Sequence, residues 1–310
     1  MIKPTNKWLL LVVLILLGLL FIGNPAAHSS RIYREVWESG HLFLFAGLIY
    51  LISHHARYNR LNIPQQLLFV ILFCSIFGLI TELLQQLVGR NFELKDIVND
   101  IIGGYIGLSF SYLRRSNPLK VNFGLFSICL LLSIWGLLPL LSALNDQWEI
   151  EKIFPHIAQF ESTHELNRWY RQDANISLSQ KFKAQGLSSM KVEFLPAKYP
   201  HVTLRHFISN WLNYQQLNLS IYNPQNQTVS MTLKVYDKLH QQNHYQYSDR
   251  FNRILQLPPG WTHFQQSLTE IANAPKKRPM EMQHVAVVSL FLDSPKTTTT
   301  LFIDNIYLSK

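Results

Sequence analysis

The chain has 310 residues, enough for two domains, and its 28 Lys+Arg against 19 Asp+Glu give a formal net charge of +9. The surplus is shared, 11 basic to 6 acidic residues over 1–145 and 17 to 13 over 146–310, and no basic block or aromatic-spaced basic helix gathers it. Nucleic acid is thereby set aside as a partner, despite a sequence pI of about 9.5.

Apolar residues crowd into the first 145 positions. Trp8 to Gly23 is a continuous apolar run behind Lys3 and Lys7. Asn24-Pro25-Ala26-Ala27 makes a poor cleavage site, so the run reads as a retained signal anchor rather than a cleaved signal peptide. Four further spans are expected at about 36–53, 65–88, 96–113 and 122–144. Basic loop residues set the orientation of such a bundle. Seven of them (Lys3, Lys7, Arg57, Arg60, Arg114, Arg115, Lys120) fall on one side and four (Arg31, Arg34, Arg90, Lys95) on the other. Five spans with the N-terminus inside place everything after residue 145 outside the cytoplasm. Cys74 and Cys129 lie inside these apolar runs and read as packing residues.

Two spans are short of apolar residues. Crossing a bilayer takes about 20 residues at 1.5 Å each. The clean runs Leu42–Ile52 and Leu67–Ile80 hold 11 and 14. They reach full thickness only by including Glu38 and His41 in one case, and Glu82, Gln85 and Gln86 in the other. The fourth span opens with Asp96, Asn99 and Asp100. All three polar ends fall on the outer side, within roughly 10 Å of the interface. Glu82 with Gln85 and Gln86, and Asp96 with Asn99 and Asp100, are i, i+3, i+4 sets that share a helix face. Arg90 follows in a tight connection, where it can pair with Glu82 or Asp96 or hold an anionic head group. Gly103-x-x-x-Gly107 is a small-residue surface for close helix packing. The expectation is an outward-facing polar pocket of His41, Glu82, Gln85, Gln86, Arg90, Asp96, Asn99 and Asp100. Interhelical hydrogen bonding is the plainer alternative for any one of these side chains.

The ordered set His41, Glu82-Leu83-Leu84-Gln85, Arg90, Asp96-Ile97-Val98-Asn99, Gly103 and Gly107 resembles the VanZ-like family over about residues 31–115. That family is named for a protein linked to resistance to teicoplanin, a glycopeptide acting at the cell surface. The resemblance implies a multi-pass protein of a bacterial inner membrane and supplies no reaction.

Residues 146–156 read as a connector, and the pattern then changes to period two. Met190-Val192-Phe194, Leu217-Leu219-Ile221 and Val229-Met231-Leu233-Val235 alternate with polar neighbours, as half-buried strands do. His284–Leu292 is more continuously apolar, as a central strand would be. Turns such as Asn223-Pro224 and Pro258-Pro259-Gly260 separate them. An all-β sandwich over 157–310 is expected.

Phe160-Glu161, Trp169, Asp249-Arg250-Phe251, Pro259-Gly260-Trp261 and Phe302-Ile303-Asp304-Asn305-Ile306 resemble galactose-binding-fold jelly rolls of the carbohydrate-binding-module kind. The resemblance implies glycan binding on an aromatic surface and a structural calcium, with Glu161 and Asp304 as its candidate ligands. Sugars are held by flat apolar faces with a polar rim. Of Tyr199, Trp211, Tyr214, Tyr245, Tyr247 and Trp261, the pair Tyr245 and Tyr247 lies in the most polar stretch. Trp211 is the further sugar-binding candidate.

Hydrolase motifs are missing: there is no Gly-x-Ser-x-Gly and no His-Glu-x-x-His. The first reading is a binding protein for a surface glycan or a lipid-linked envelope precursor. The second is a membrane enzyme on such a substrate, with His41 and Glu82 sharing acid–base work. The third is a structural protein of the envelope.

Overall fold

The computed structural model describes residues 4–19, 21, 31–87, 92–113 and 119–310. They divide into two compact units, Met1–Leu144 and Asn145–Lys310.

The first unit is helical: α1 (Pro4–Leu19), α2 (Arg31–Ile52), α3 (Ile63–Leu87), α4 (Leu94–Leu113) and α5 (Leu119–Ile153), the last running on past the unit boundary. Local chemistry sets some of these ends. Before α3 the Gln65 N–H donates to the Asn62 side chain (3.0 Å) and the Asn62 N–H donates to the Gln65 side chain (3.1 Å). That reciprocal box satisfies donors that a helix start leaves open. Val13, Leu44, Phe45, Ile49, Tyr58, Val70, Cys74 and Leu108 form the core. Cys74 is fully buried and serves that packing.

Three helical stretches are long and apolar enough to cross a membrane: Arg31–Ile52, Ile63–Leu87 and Ser127–Ile153. Large apolar side chains such as Leu68, Leu72, Ile76, Leu131 and Trp135 stand exposed along the last two, which marks membrane association. The expectation of five spans is thus met in part. The described α1 is only 16 residues, and the first two turns of α4 carry Lys95, Asp96 and Asp100. The expected connector takes a helical form in its first eight residues. Residues 146–153 are the last turns of α5.

The second unit is a two-sheet antiparallel β-sandwich. Its strands are β1 (His156–Ala158), β2 (Trp169–Gln172), β3 (Ala174–Ser179), β4 (Ser189–Phe194), β5 (His201–Leu204) and β6 (Gln216–Asn223). They continue as β7 (Val229–Asp237), β8 (Phe251–Leu257), β9 (Gly260–Ser267), β10 (Val285–Phe291) and β11 (Thr299–Ser309). One sheet has the order β3-β4-β11-β6-β9, with β1 added to β11; the other is β2-β5-β10-β7-β8. From β4 to β7 and from β8 to β11 the chain alternates between sheets, as jelly rolls do. Pro258-Pro259-Gly260 turns one such corner, with Gly260 at φ +96°. The mostly apolar β10 is indeed central, and its residues Val285–Leu290, Ser289 included, are buried.

Period two decides which side chains enter. On β7, Met231, Leu233 and Val235 point into the common core, while Ser230, Thr232 and Lys234 face the other way. Trp211 is fully buried in that core and donates its indole N–H to the Ile208 carbonyl at 2.9 Å. It offers no face to a sugar, which corrects the expectation placed on it.

One ion pair that the sequence did not suggest ties the end of α5 into the sandwich unit. Arg168, 2% exposed, donates its Nε–H to Asp146 at 2.7 Å.

Candidate functional site

In the helical unit, α2, α3 and α4 bring His41, Glu82, Asp96 and Asp100 together. Glycines make this possible. A Cβ added at Gly103 would run into the Leu42 carbonyl oxygen of α2, and one at Gly107 into that of Ala46. The close approach seats His41, the residue before Leu42, beside Asp100. Gly78 on α3 clears the space for Asp100, whose Oδ2 occupies the position a Cβ there would take.

His41 Nδ1 lies 3.0 Å from Asp100 Oδ1, a hydrogen bond. His41 Nε2 lies 3.6 Å from Asp96 Oδ2 and 4.0 Å from Glu82 Oε1, beyond hydrogen-bond range. The other Glu82 oxygen accepts the Glu93 N–H at 3.0 Å. His41 Nε2, Glu82 Oε1, Asp96 Oδ1 and Asp100 Oδ2 are all buried without a hydrogen-bond partner among the described residues. The four residues are at most 3% exposed, so they form a buried cluster rather than the expected open pocket. His41, Glu82 and Asp96 each offer an atom to a common point, as metal ligands do.

The remaining expected pocket residues divide. Gln85 is buried on α3, one turn from Glu82, whereas Gln86 is exposed and does not join. Asn99 is half-buried in a different groove with Glu35, Glu38 and Lys95, where Lys95 pairs with Glu38 at 2.7 Å. Arg90 lies outside the described residues.

In the sandwich, a cleft of about 810 Å³ lies over the outer face of the β2-β5-β10-β7-β8 sheet. Its aromatic surfaces are Tyr199, Phe291 and Tyr247, the last 71% exposed. Tyr199 meets Phe291 edge-on, ring centroids 6.0 Å apart. Its polar side chains include Gln172, His201, Thr232, Lys234, Arg250, Asn252 and Asp293. The Arg250 guanidinium lies 5.0 Å from the Tyr247 ring centre. Arg250 Nε and Asn252 Oδ1 are buried atoms without a hydrogen-bond partner among the described residues. Burial, with the charges of Arg250 and Arg205 adding to it, lowers the Lys234 ammonium to about 8. Burial also lowers His201. Tyr245 is exposed but packs edge-on against His240 beside the cleft.

The segment carrying Tyr245 and Tyr247 is held by Arg278. Its guanidinium donates to both oxygens of Asp237 and both oxygens of Asp249. Burial pushes the Asp249 carboxyl up, yet hydrogen bonds from Arg278, Asn243 and His240 outweigh it and hold the group low. No motif in the sequence announced this pairing.

At the other sheet, Glu161 and Asp304 line one small pocket of about 80 Å³ with Gln159, Gln185, Gly186 and Asn305. Asp304 sits at the irregularity of β11, where Asn305 has φ +50°. Backbone N–H groups of Ala184 and Gln185 donate to Asp304 (2.7 and 3.1 Å), and that of Leu187 donates to Glu161 (2.9 Å). Asn305 Oδ1, in the same pocket, is buried and has no hydrogen-bond partner among the described residues. An orphaned amide oxygen beside two carboxylates offers oxygen ligands of the kind calcium takes, though fewer than the six to eight it needs, and both carboxylates already accept backbone N–H groups.

No family model matches the chain, and no curated protein matches it. Half of the chain is similar to solved carbohydrate-active structures. An exo-beta-agarase matches at 15% identity and TM-score 0.40, over 50% of this chain and 24% of its own. The family 11 carbohydrate-binding module from Clostridium thermocellum, in complex with a beta-1,3-1,4-mixed-linked tetrasaccharide, matches at 9% and 0.39, over 50% and 94%. A xylan-binding domain matches at 14% and 0.32, over 50% and 92%. Values this low decide nothing about ligand or activity.

Proposed function

We propose that this is a membrane-anchored glycan-binding protein whose sandwich holds an anionic polysaccharide in the cleft over the β2-β5-β10-β7-β8 sheet. The observation that carries the reading is the cleft itself: three aromatic faces beside Lys234 and Arg250, with unpartnered polar atoms on Arg250 and Asn252. Aromatic faces take up sugar rings and the cations take a carboxylate, sulfate or phosphate substituent. An anion there also relieves the crowding of Lys234 by two guanidinium groups.

Retention of the full chain in detergent by polysaccharide-containing gels tests this. Alginate or carrageenan is expected to retard it and dextran is not, and Tyr247→Ala should weaken the retardation about tenfold. The pH dependence has a definite sign. Lys234 is protonated below about 8 and neutral above, so affinity falls as pH rises beyond about 8, and protonation of His201, lowered by burial, strengthens it further only in the acid range. Equal retention by dextran, or retention that grows with pH, contradicts an anionic ligand.

The setting we propose is a bacterial inner membrane with five spans, the N-terminus in the cytoplasm and the sandwich outside. The support is the seven-to-four division of basic loop residues and the resemblance of His41, Glu82, Arg90, Asp96 and Asn99 in order to the VanZ-like family. A surface glycan or the sugar of a lipid-linked precursor is the natural ligand there. The burial of the His41 cluster argues against the enzyme reading, since Glu82 is only 1% exposed.

We also propose a structural calcium held by Glu161, Asp304 and Asn305, where it would pin the β11 irregularity to the 183–187 segment. Chelation with EGTA is then expected to lower the sandwich's melting temperature, and Asp304→Asn to remove that response. A sandwich indifferent to both EGTA and added calcium contradicts the site.

A further inference from the structure

The geometry points to a divalent transition-metal site inside the helical unit, with His41 Nε2, Glu82 Oε1 and an Asp96 carboxylate oxygen as ligands and Asp100 orienting the imidazole. It stands independently of the glycan reading.

The tautomer comes first. The Asp100 carboxylate accepts from Nδ1 at 3.0 Å, which leaves Nε2 as the ring nitrogen open to a metal. With Nε2 unprotonated, its lone pair is aimed at Glu82 and Asp96, two further acceptors. Unbridged acceptors repel one another, yet all three are buried together. Their separations fit a shared ion better than hydrogen bonds. Ligands about 2.0–2.1 Å from a metal lie roughly 3.4 Å apart at a tetrahedral angle and about 4.2 Å apart when opposed. The observed Nε2 distances are 3.6 Å to Asp96 and 4.0 Å to Glu82, and the three ligand atoms lie within 4.8 Å of one another. Contraction of about 0.2 Å toward Asp96 and about 0.6 Å toward Glu82 brings the Nε2 separations to the tetrahedral value.

Charge makes the same demand. Three carboxylates surround one imidazole, and among the described residues no lysine or arginine pairs with Glu82, Asp96 or Asp100. Buried carboxylates that lack a counter-charge are costly and are normally paired, protonated or bound to a metal. A 2+ ion offsets the charges of the two ligating carboxylates, Glu82 and Asp96, and satisfies the orphaned Nε2 and Glu82 oxygen together, while Asp100 keeps its hydrogen bond to Nδ1.

The donor set selects the ion. One imidazole nitrogen and two carboxylates suit Zn²⁺ or Mn²⁺. Calcium takes six to eight oxygens. The Asp100–His41 pair matches the carboxylate–histidine support that metal-bound imidazoles use. Coordination would join α2, α3 and α4 at one point and leave a position for water.

The test uses the full chain in detergent, stripped with a chelator and exchanged separately into Zn²⁺, Mn²⁺ or Co²⁺, then desalted for elemental analysis. One equivalent of Zn²⁺ or Mn²⁺ per chain is expected, with a rise in melting temperature that saturates at that ratio. Co²⁺ should give visible ligand-field bands. Glu82→Gln and Asp96→Asn should each lose the equivalent and the bands. Asp100→Asn should keep them with affinity reduced about 10–100-fold, a change that simple loss of packing would not produce. Arg90→Ala should leave the stoichiometry intact. Wild-type chain that is folded but takes up no metal overturns the site. So does uptake that survives Glu82→Gln and Asp96→Asn, or a chain that Arg90→Ala destabilises while metal does not bind, because an arginine counter-charge then does the neutralising.

Discussion

Arg278→Ala is expected to destabilise the sandwich by about 3–5 kcal/mol, the cost of leaving buried charges without their partner. The guanidinium bonds all four carboxylate oxygens of Asp237 and Asp249, which are 0% and 9% exposed at the side chain. Removing it strands two negative charges beside His240. Arg278→Lys keeps the charge but loses the planar fork, so it should fall between alanine and wild type. Amide hydrogen exchange of β7 and β10 in the full chain reads this directly. The 238–250 segment should lose protection as well, and with it the placing of Tyr247. Exchange within about 1 kcal/mol of wild type would mean that the network is dispensable.

Gly107→Leu should be the most damaging change in the helical unit. An added Cβ at Gly107 meets the Ala46 backbone, so no side-chain rotation relieves it and α2 must move away from α4. Overpacking a core typically costs 1–3 kcal/mol, and contact with backbone puts this position at or above the top of that range. The displacement also parts His41 from Asp100, so metal uptake should fail together with helix packing. Gly124→Ala is the matched control, because an added Cβ there meets nothing. Size-exclusion profiles and melting temperatures in detergent should separate the two. Equal behaviour of both variants would remove close helix approach as the basis of the cluster.

The sequence showed the strands more fully than the sites. Alternation located β4 and β7 because a half-buried strand must alternate, and continuity marked β10 because a central strand is buried on both faces; β6 also alternates in sequence, yet Asn218 and Ser220 are buried along with Leu217, Leu219 and Ile221. The same alternation placed Ser230, Thr232 and Lys234 on one outer face, but a cleft also needs β5, β8 and the 199 and 291 positions, which only the sheet order brings together. Trp211 shows the limit of residue type: an indole serves a core as well as a sugar.

In the helices, spacing grouped Asp96, Asn99 and Asp100 on one face. At 100° per residue, Asp100 lies about 40° from Asp96 to one side and Asn99 about 60° to the other. The closer residue turned inward and Asn99 joined a neighbouring groove. Gln85 and Gln86 separate the other way, the i+3 residue Gln85 turning inward and the i+4 residue Gln86 outward. Gly78 gave no signal at all, because its role is to leave room for a side chain 22 positions away.

The most direct measurement is a titration of the full chain with a defined anionic oligosaccharide, comparing wild type, the double variant Lys234→Ala/Tyr247→Ala, and His263→Ala on the other sheet. Saturable binding that His263→Ala preserves and the double variant abolishes is the expected result. Binding that survives the double variant, or that follows His263 instead, would contradict the cleft as the glycan site.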